Sequence, residues 1–192
     1  DFNKAINACT KKREQKRSPK KALPKKVDDK PFTVAPLKLC WYILVKYKIK
    51  GERINVFTLN RILYAIQGTH VKETGEFLIE DDFLAHELGT VLEKVMHRYC
   101  HYGCGEIFTM HDKDMLGCLR SVPKQSFEII ERVVEEKFKQ EYFNSLEENT
   151  RKNGAWAKNF EPAKADSLNV ISKEDIRKEF TTLKPFKRSY DD

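Results

Sequence analysis

The segment Pro36-Leu-Lys-Leu-Cys-Trp-Tyr-Ile-Leu-Val-Lys-Tyr47 places apolar side chains on nearly every face of a helix. Such a helix needs neighbours on all sides, so it belongs deep in a core that other elements build around it. The longest run without a polar residue, 39–45, is seven residues, whereas a bilayer-crossing helix takes about 20. No transmembrane helix is expected, and a membrane is not among the expected partners. The opening residues also lack the apolar stretch of a secretory signal, in keeping with a cytoplasmic location.

The surrounding elements follow from periodicity. Leu59, Ile62, Leu63 and Ile66 recur at i, i+3, i+4 and i+7, which predicts a second helix with a buried stripe. Thr58 is its candidate N-cap, and Gly68 or a residue soon after it is the expected end. Thr74-Gly75 reads as a turn, and Glu76-Phe-Leu-Ile79 as a short extended piece. From Asp81 or Asp82, either of which can cap, Phe83, Leu84, Leu88, Val91, Leu92, Val95, Met96 and Tyr99 keep helical spacing. Gly89 interrupts them, so a break is expected there and a helix over about 91–101, closed by Tyr102-Gly103-Cys-Gly105. Residues 106–125 carry no decisive pattern.

Phe127, Ile130, Val133, Val134 and Phe138 predict another amphipathic helix, with Glu135 and Lys139 as a supporting pair four residues apart. Ser145-Leu-Glu-Glu148 and Ser172-Lys-Glu-Asp175 are capping patterns, the second preceding Ile176 and Phe180. Gly154-Ala-Trp156 reads as a helix stop carrying an aromatic anchor. The expected fold class is mainly α: a compact multi-helix single domain with at most one or two short strands. A basic N-terminal arm (1–31) precedes this body (32–182), and a short tail (183–192) follows it.

Charge separates the arm from the body. The 192-residue chain carries a net charge of +7. Residues 1–30 hold eleven Lys/Arg against four Asp/Glu, while the rest hold 25 of each. With few apolar side chains to bury, the arm should be disordered in isolation. Lys11, Lys12, Arg13, Lys16, Arg17, Lys20, Lys21, Lys25 and Lys26 are its candidate contacts to RNA or DNA phosphates, a salt-sensitive and sequence-blind mode of binding. Pro19 and Pro24 would keep the arm extended. Only Phe2 could stack on a base, so a merely solubilising extension remains the alternative.

Four motifs, in order over residues 37–180, resemble one family. Thr58-Leu59-x-x-Ile62-Leu63-Tyr64-Ala65-x-Gln67-Gly68 is similar to the KLxKLLYFAQG signature of the Panacea domain, the SocA-like antitoxin family. Phe83-x-Ala85-His86-x-x-Gly89-Thr90-Val91 resembles its FxAWxxGPV. Ser145-Leu146-x-Glu148-x-Thr150-x-x-x-Gly154-Ala155-Trp156 resembles its (S/L)xELxxxTHxxGPW, and Ile171-Ser172-x-Glu174-Asp175-Ile176-x-x-Phe180 its closing helix. His86 stands where the family has tryptophan, and Thr90 and Ala155 where it has proline. Arg61 and Arg151 replace a lysine and a histidine. The resemblance implies a helical domain without catalytic residues or cofactors, which neutralises a cognate toxin by direct protein contact.

Tyr64, Gln67, His86, Thr90 and Trp156 are accordingly the candidate partner-binding residues. Bland alternatives stand beside them: a core hydrogen bond for the Tyr64 hydroxyl, a helix-end role for Gln67, and a core anchor for Trp156. The residues His97-x-x-Cys100-His101-x-x-Cys104, with His111 and Cys118 nearby, form the sole candidate metal cluster. They contain no CxxC knuckle, and Cys100 points away from His97 and His101 on a helix, so no metal is expected. The five cysteines lack a disulfide-like spacing and suggest reduced thiols. No GxSxG, Walker-type or GxGxxG motif is present. Acid pairs Asp81-Asp82 and Glu147-Glu148 sit at helix starts, where the helix dipole accounts for them. Enzyme activity is not expected.

Overall fold

Helix α1 spans Pro36–Ile49 and begins on a proline, whose missing N–H is no loss in a first turn. Leu39, Cys40, Tyr42, Ile43, Leu44, Val45 and Tyr47 are all buried in it, so the expected central helix is present. The structure is a computed structural model describing residues 31–108, 113–136, 146, 148–163 and 169–182, of which 113–115 and 136 by backbone only. The basic arm with its candidate cations, the tail, His111, Phe138, Lys139 and Ser145 lie outside the described residues. Within them the protein is mainly helical with a single two-stranded sheet, and no helix is long and apolar enough to cross a membrane.

Helix α2 spans Val56–Thr74 and is longer at both ends than expected. Its N-cap is Asn55 rather than Thr58: the Asn55 side chain accepts from the Thr58 N–H at 2.8 Å. The apolar stripe starts at Leu59, but the backbone turns helical at Val56 because Asn55 can satisfy a first-turn amide. Gly68 does not end the helix. It lies mid-helix, where a methyl group would sit 2.1–2.2 Å from ring atoms of Phe180. The chain stops instead at Gly75, whose left-handed φ of 78° suits a C-cap.

The largest correction concerns residues 83–92, whose helical spacing was misleading. Strand β1, Phe83–His86, pairs antiparallel with β2, Gly89–Leu92, in the register Phe83↔Leu92, Leu84↔Val91, Ala85↔Thr90 and His86↔Gly89. Phe83, Leu84 and Ala85 and all four β2 residues are buried, so no in–out alternation betrays the strands, and a short apolar run fits either period. Gly89, at φ 123°, occupies a backbone region that other residues rarely adopt. Residues 169–171 cover the outer edge of β1: Ala85 N–H donates to the Asn169 carbonyl at 2.7 Å, and Ile171 N–H to that of Phe83 at 2.8 Å. The expected extended piece at 76–79 is not a strand, although Val34 N–H reaches the Leu78 carbonyl at 2.8 Å.

Helix α3, Glu93–Tyr99, runs into a 3-10 turn, Cys100–Tyr102, and starts later than expected because Val91 and Leu92 belong to β2. In the stretch without a decisive pattern, Glu106 bridges Asn55 and a 3-10 helix, Lys113–Leu119, packs on α1. Helix α4, Lys124–Glu136, buries Ile129, Ile130, Val133 and Val134. Tyr42 on α1 donates to Glu131, whose second oxygen receives Lys46 Nζ at 2.9 Å. A helical turn at 148–152 stops before Gly154, as expected, and α5, Ala155–Asn159, follows.

Helix α6, Lys173–Thr182, opens on the expected cap, with Asp175 N–H donating to Ser172 Oγ at 3.0 Å. The Ser172 hydroxyl, and then the Asn159 amide, hold the Asp175 carboxyl below its usual range. That small stabilisation is present above the ordinary aspartate pKa and fades as pH falls through the lowered one.

The contact between Gly68 and Phe180 sets how closely α6 approaches α2. Gly68→Ala should destabilise the domain by about 1–3 kcal/mol in urea denaturation, the usual cost of overpacking. Phe180→Leu should cost less in the G68A background than alone. Additive effects would mean that the two sites do not share this contact.

Candidate functional site

Glu179 is the hub of the site, and its surroundings are built by four separated segments. It lies on the inward face of α6, where its side chain has few routes to water. Tyr64 of α2 donates its hydroxyl to Glu179 Oε2 at 2.7 Å, Ala155 N–H donates to the same oxygen at 3.0 Å, and the Thr150 hydroxyl donates to Oε1. Residue 179 is 7% exposed. A buried carboxylate is tolerable when donors surround it in this way. Burial, and next the Glu179 charge, raise the Tyr64 hydroxyl well above the ordinary phenol range, so it remains a neutral donor.

The glycine of the Gly154-Ala155-Trp156 motif is needed for this approach. A methyl group on Gly154 would lie 2.5 Å from Thr150 Cα and 2.7 Å from Glu179 Oε1. Gly154 thus lets the chain turn tightly enough to aim the Ala155 N–H at the carboxylate. Trp156, one residue on, donates its indole N–H to the His86 carbonyl at 2.7 Å. Its ring stacks on Phe160 with centroids 4.4 Å apart, and the Arg151 guanidinium lies 5.1 Å from its centroid. The indole is therefore held on both faces of its function: by a hydrogen bond at its edge and by packing on its plane.

Above the carboxylate is an open cleft lined by Arg61, Tyr64, Gly89, Thr90, Thr150, Arg151 and Trp156, with Leu146. About 340 Å³ of space lies within its bounds, open solvent included. Three of the candidate partner-binding residues, Tyr64, Thr90 and Trp156, meet here. Tyr64 and Thr90 are nearly covered, at 2% and 6% exposed, whereas Trp156 is half-buried and accessible. His86 adjoins the cleft through its carbonyl, while its Nδ1 accepts the Leu88 N–H at 3.0 Å and closes the hairpin turn.

Gln67 lies elsewhere and is 1% exposed. Its Oε1 accepts from Leu78 and Ile79 N–H at 3.1 and 2.8 Å, and its Nε2 donates to the Ile79 carbonyl at 2.9 Å. Three of the four hydrogen bonds open to an amide are made to the chain itself. Direct contact of Gln67 or Tyr64 with a partner would require this interior to open; Tyr64 shapes the cleft wall from within, and Gln67 holds residues 78–79.

Among the described residues, no group of three or more His, Cys, Asp or Glu could hold a metal ion. Cys100 and Cys104 are exposed, Cys40 is buried with its thiol pKa pushed up by desolvation, and the His101 ring rests on Tyr102. A second buried polar cluster joins His70 to the Glu76 carbonyl at 2.8 Å and to Ser126 Oγ at 2.9 Å. The carbonyl can only accept, so His70 donates to it from Nδ1. The pair ties α2 to α4.

Glu179, Thr150, Arg61 and Arg151 were not among the residues singled out from the sequence. Thr150, Arg61 and Arg151 occupy motif positions, so a signal existed for them; Glu179 had none beyond its place beside Phe180.

If Glu179 is the structural hub, Glu179→Ala strands three buried donors and should cost about 3 kcal/mol or more, since each unsatisfied group costs about 1–3 kcal/mol. Tyr64→Phe and Thr150→Val should each cost about 1 kcal/mol and be non-additive, because they share one carboxylate. Urea denaturation of the four variants, including the double, measures this. An E179A variant as stable as the wild type would show that the carboxylate does not organise the site.

A scan against protein-family models and searches of curated proteins and of solved structures find no match to this chain.

Proposed function

We propose that residues 32–182 form a Panacea-like, non-enzymatic protein-binding domain that neutralises a cognate toxin in the cytoplasm by direct contact. The observation that carries this reading is the convergence of the motif positions. Arg61 and Tyr64 come from α2, Gly89 and Thr90 from β2, Thr150 and Arg151 from the turn at 148–152, and Trp156 from α5, yet all line one cleft. A shallow opening with a fixed aromatic and two guanidinium groups has the composition of a protein-contact hot spot. The Tyr64 and Thr150 hydroxyls are committed to Glu179, which leaves neither poised as a nucleophile.

Of the five departures from the family pattern, Arg61, Thr90 and Arg151 line this cleft and His86 adjoins it. The Ala85–Thr90 pair is of the non-hydrogen-bonded kind, because Ala85 N–H points outward to Asn169. The Thr90 N–H therefore serves no bond to β1, and a proline there breaks no ladder bond. H86W/T90P should alter which toxin is captured while the melting temperature moves by only a few degrees. Trp156→Ala should weaken capture of the native partner by about tenfold or more, the scale of a hot-spot residue. Both are read by co-expression with a toxin that the wild-type chain neutralises, and by affinity capture. Unchanged capture by both variants would overturn the assignment of this surface.

The uneven charge favours a second activity for residues 1–31, the anchoring of the domain to RNA or DNA. Here the expected outcome is a steep salt dependence, with log K falling by about 0.9 per phosphate contacted for each unit of log salt on a duplex. Removal of residues 1–30 should abolish this binding and leave toxin capture intact. Binding to nucleic acid that survives the truncation would place the contact elsewhere.

A further inference from the structure

We infer that Thr90 is the cleft's hydrogen-bond donor to the partner protein, and that the group it receives is an amide carbonyl, from the partner's main chain or from an Asn or Gln side chain. This rests on the protein-binding reading above and names the chemistry of the contact.

The first ground is the phase of the hairpin. In a non-hydrogen-bonded antiparallel pair, the N–H groups point away from the facing strand. Phe83↔Leu92 and Ala85↔Thr90 are both of this kind, since Ile171 N–H bonds the Phe83 carbonyl and Ala85 N–H bonds Asn169 on the far edge of β1. The N–H groups of Leu92 and Thr90 therefore both leave the outer edge of β2, where α2 lies. Asn60 Oδ1 of α2 accepts that of Leu92 at 2.8 Å. Tyr64, one turn further along α2, takes Glu179 instead, at 2.7 Å. The Thr90 N–H meets no acceptor among the described residues.

The second ground is burial. Thr90 lines the cleft at only 6% exposed, and its hydroxyl likewise has no partner among the described residues. A covered donor without an acceptor is costly, so an oxygen that supplies one is rewarded. One carbonyl oxygen has two lone pairs and can accept from an amide and a hydroxyl together. Tyr64 and Thr150 spend their hydroxyls on Glu179, and Arg61 and Arg151 carry contacts of their own. Thr90 is the polar residue of the cleft with donors to offer.

The third ground is what surrounds those donors. The buried Glu179 carboxylate behind Tyr64 and Thr150 opposes an anion and leaves a neutral oxygen unopposed. Leu146 and Trp156 supply apolar surface for the carbons beside a carbonyl. The Trp156 ring is held by the His86 carbonyl and by Phe160, so this margin is in place before a partner arrives.

The test uses the full chain. N-methylacetamide is the probe for a main-chain amide, acetamide that for an Asn or Gln side chain, and acetate the anionic comparison. Binding is read by NMR from the Thr90 amide proton, with the Leu92 amide, already bonded to Asn60, as internal reference. The Thr90 proton should move downfield to saturation with an amide probe while that of Leu92 stays in place. Thr90→Val keeps the N–H and loses the hydroxyl; it should weaken binding about fivefold, the worth of one neutral hydrogen bond. Thr90→Ser should restore it. In Thr90→Pro, read from the Trp156 indole proton, binding should fall below detection; T90V and T90S decide the matter if that variant does not fold. Tighter binding of N-methylacetamide assigns the carbonyl to the main chain, and tighter binding of acetamide assigns it to a side chain. A Thr90 proton that does not move, a T90V variant that binds as the wild type does, or acetate held more tightly than either amide overturns the inference. The parent reading fails separately. If the amide probes bind at Thr90 but the chain rescues no cell from toxin, the carbonyl site stands and the antitoxin role falls. If rescue depends on Trp156 but Thr90 takes no probe, the reverse is true.

Discussion

A row of buried polar side chains along α2 decides where the other segments can lie. Asn60, Tyr64, Gln67 and His70 are separated by steps of four, three and three residues, which places them along one side of the helix. Each is buried, and each binds a segment distant in sequence. Asn60 accepts the Leu92 N–H at the end of β2 and donates to Val56 in its own helix. Tyr64 reaches α6, Gln67 holds residues 78–79, and His70 joins Ser126 on α4. Leaving one such group unpaired in the core costs about 1–3 kcal/mol, so each segment is confined to the position that satisfies its donor or acceptor. Apolar packing alone would tolerate small shifts; these bonds do not.

The candidate site is the outer edge of that same network. Tyr64 holds Glu179 from below, Glu179 holds Thr150 and Ala155, and the turn around Gly154 then presents Arg151 and Trp156 to the opening. The motif residues thus divide into two kinds of work. Tyr64, Gln67, Gly68, Thr150 and Gly154 build the interior, and Arg151 and Trp156 with the hairpin residues meet the outside. These positions therefore report in large part on how the fold is held, and less on what it touches. Arg61, Thr90 and Arg151 line the cleft, and His86 adjoins it.

Much of the helical architecture was legible in the sequence, because a helix is a local structure whose apolar period appears within a single turn or two. The core role of 36–47, the stripe from Leu59 to Ile66, the Ser172 cap and the stop at Gly154 are all of this kind. Two local signals misled. Thr58 looked like a cap because it preceded the apolar stripe, yet Asn55 could satisfy the first-turn amide earlier. Gly68 looked like a stop because glycine weakens a helix by about 1 kcal/mol relative to alanine, yet its missing side chain is what admits Phe180. In both, a contact outside the pattern reversed the local preference.

By itself the sequence determined that this chain has a helical body around a central apolar helix, with its excess positive charge confined to the first thirty residues. Only the tertiary structure decided that 83–92 is a hairpin, that Glu179 is the shared acceptor of Tyr64, Thr150 and Ala155, and that three distant motifs face one cleft. The reason is physical. Helical periodicity arises from bonds between residues four apart, so neighbours in the chain carry its record. A strand completely covered on both faces, or a carboxylate neutralised from three directions, exists only through partners tens of residues away.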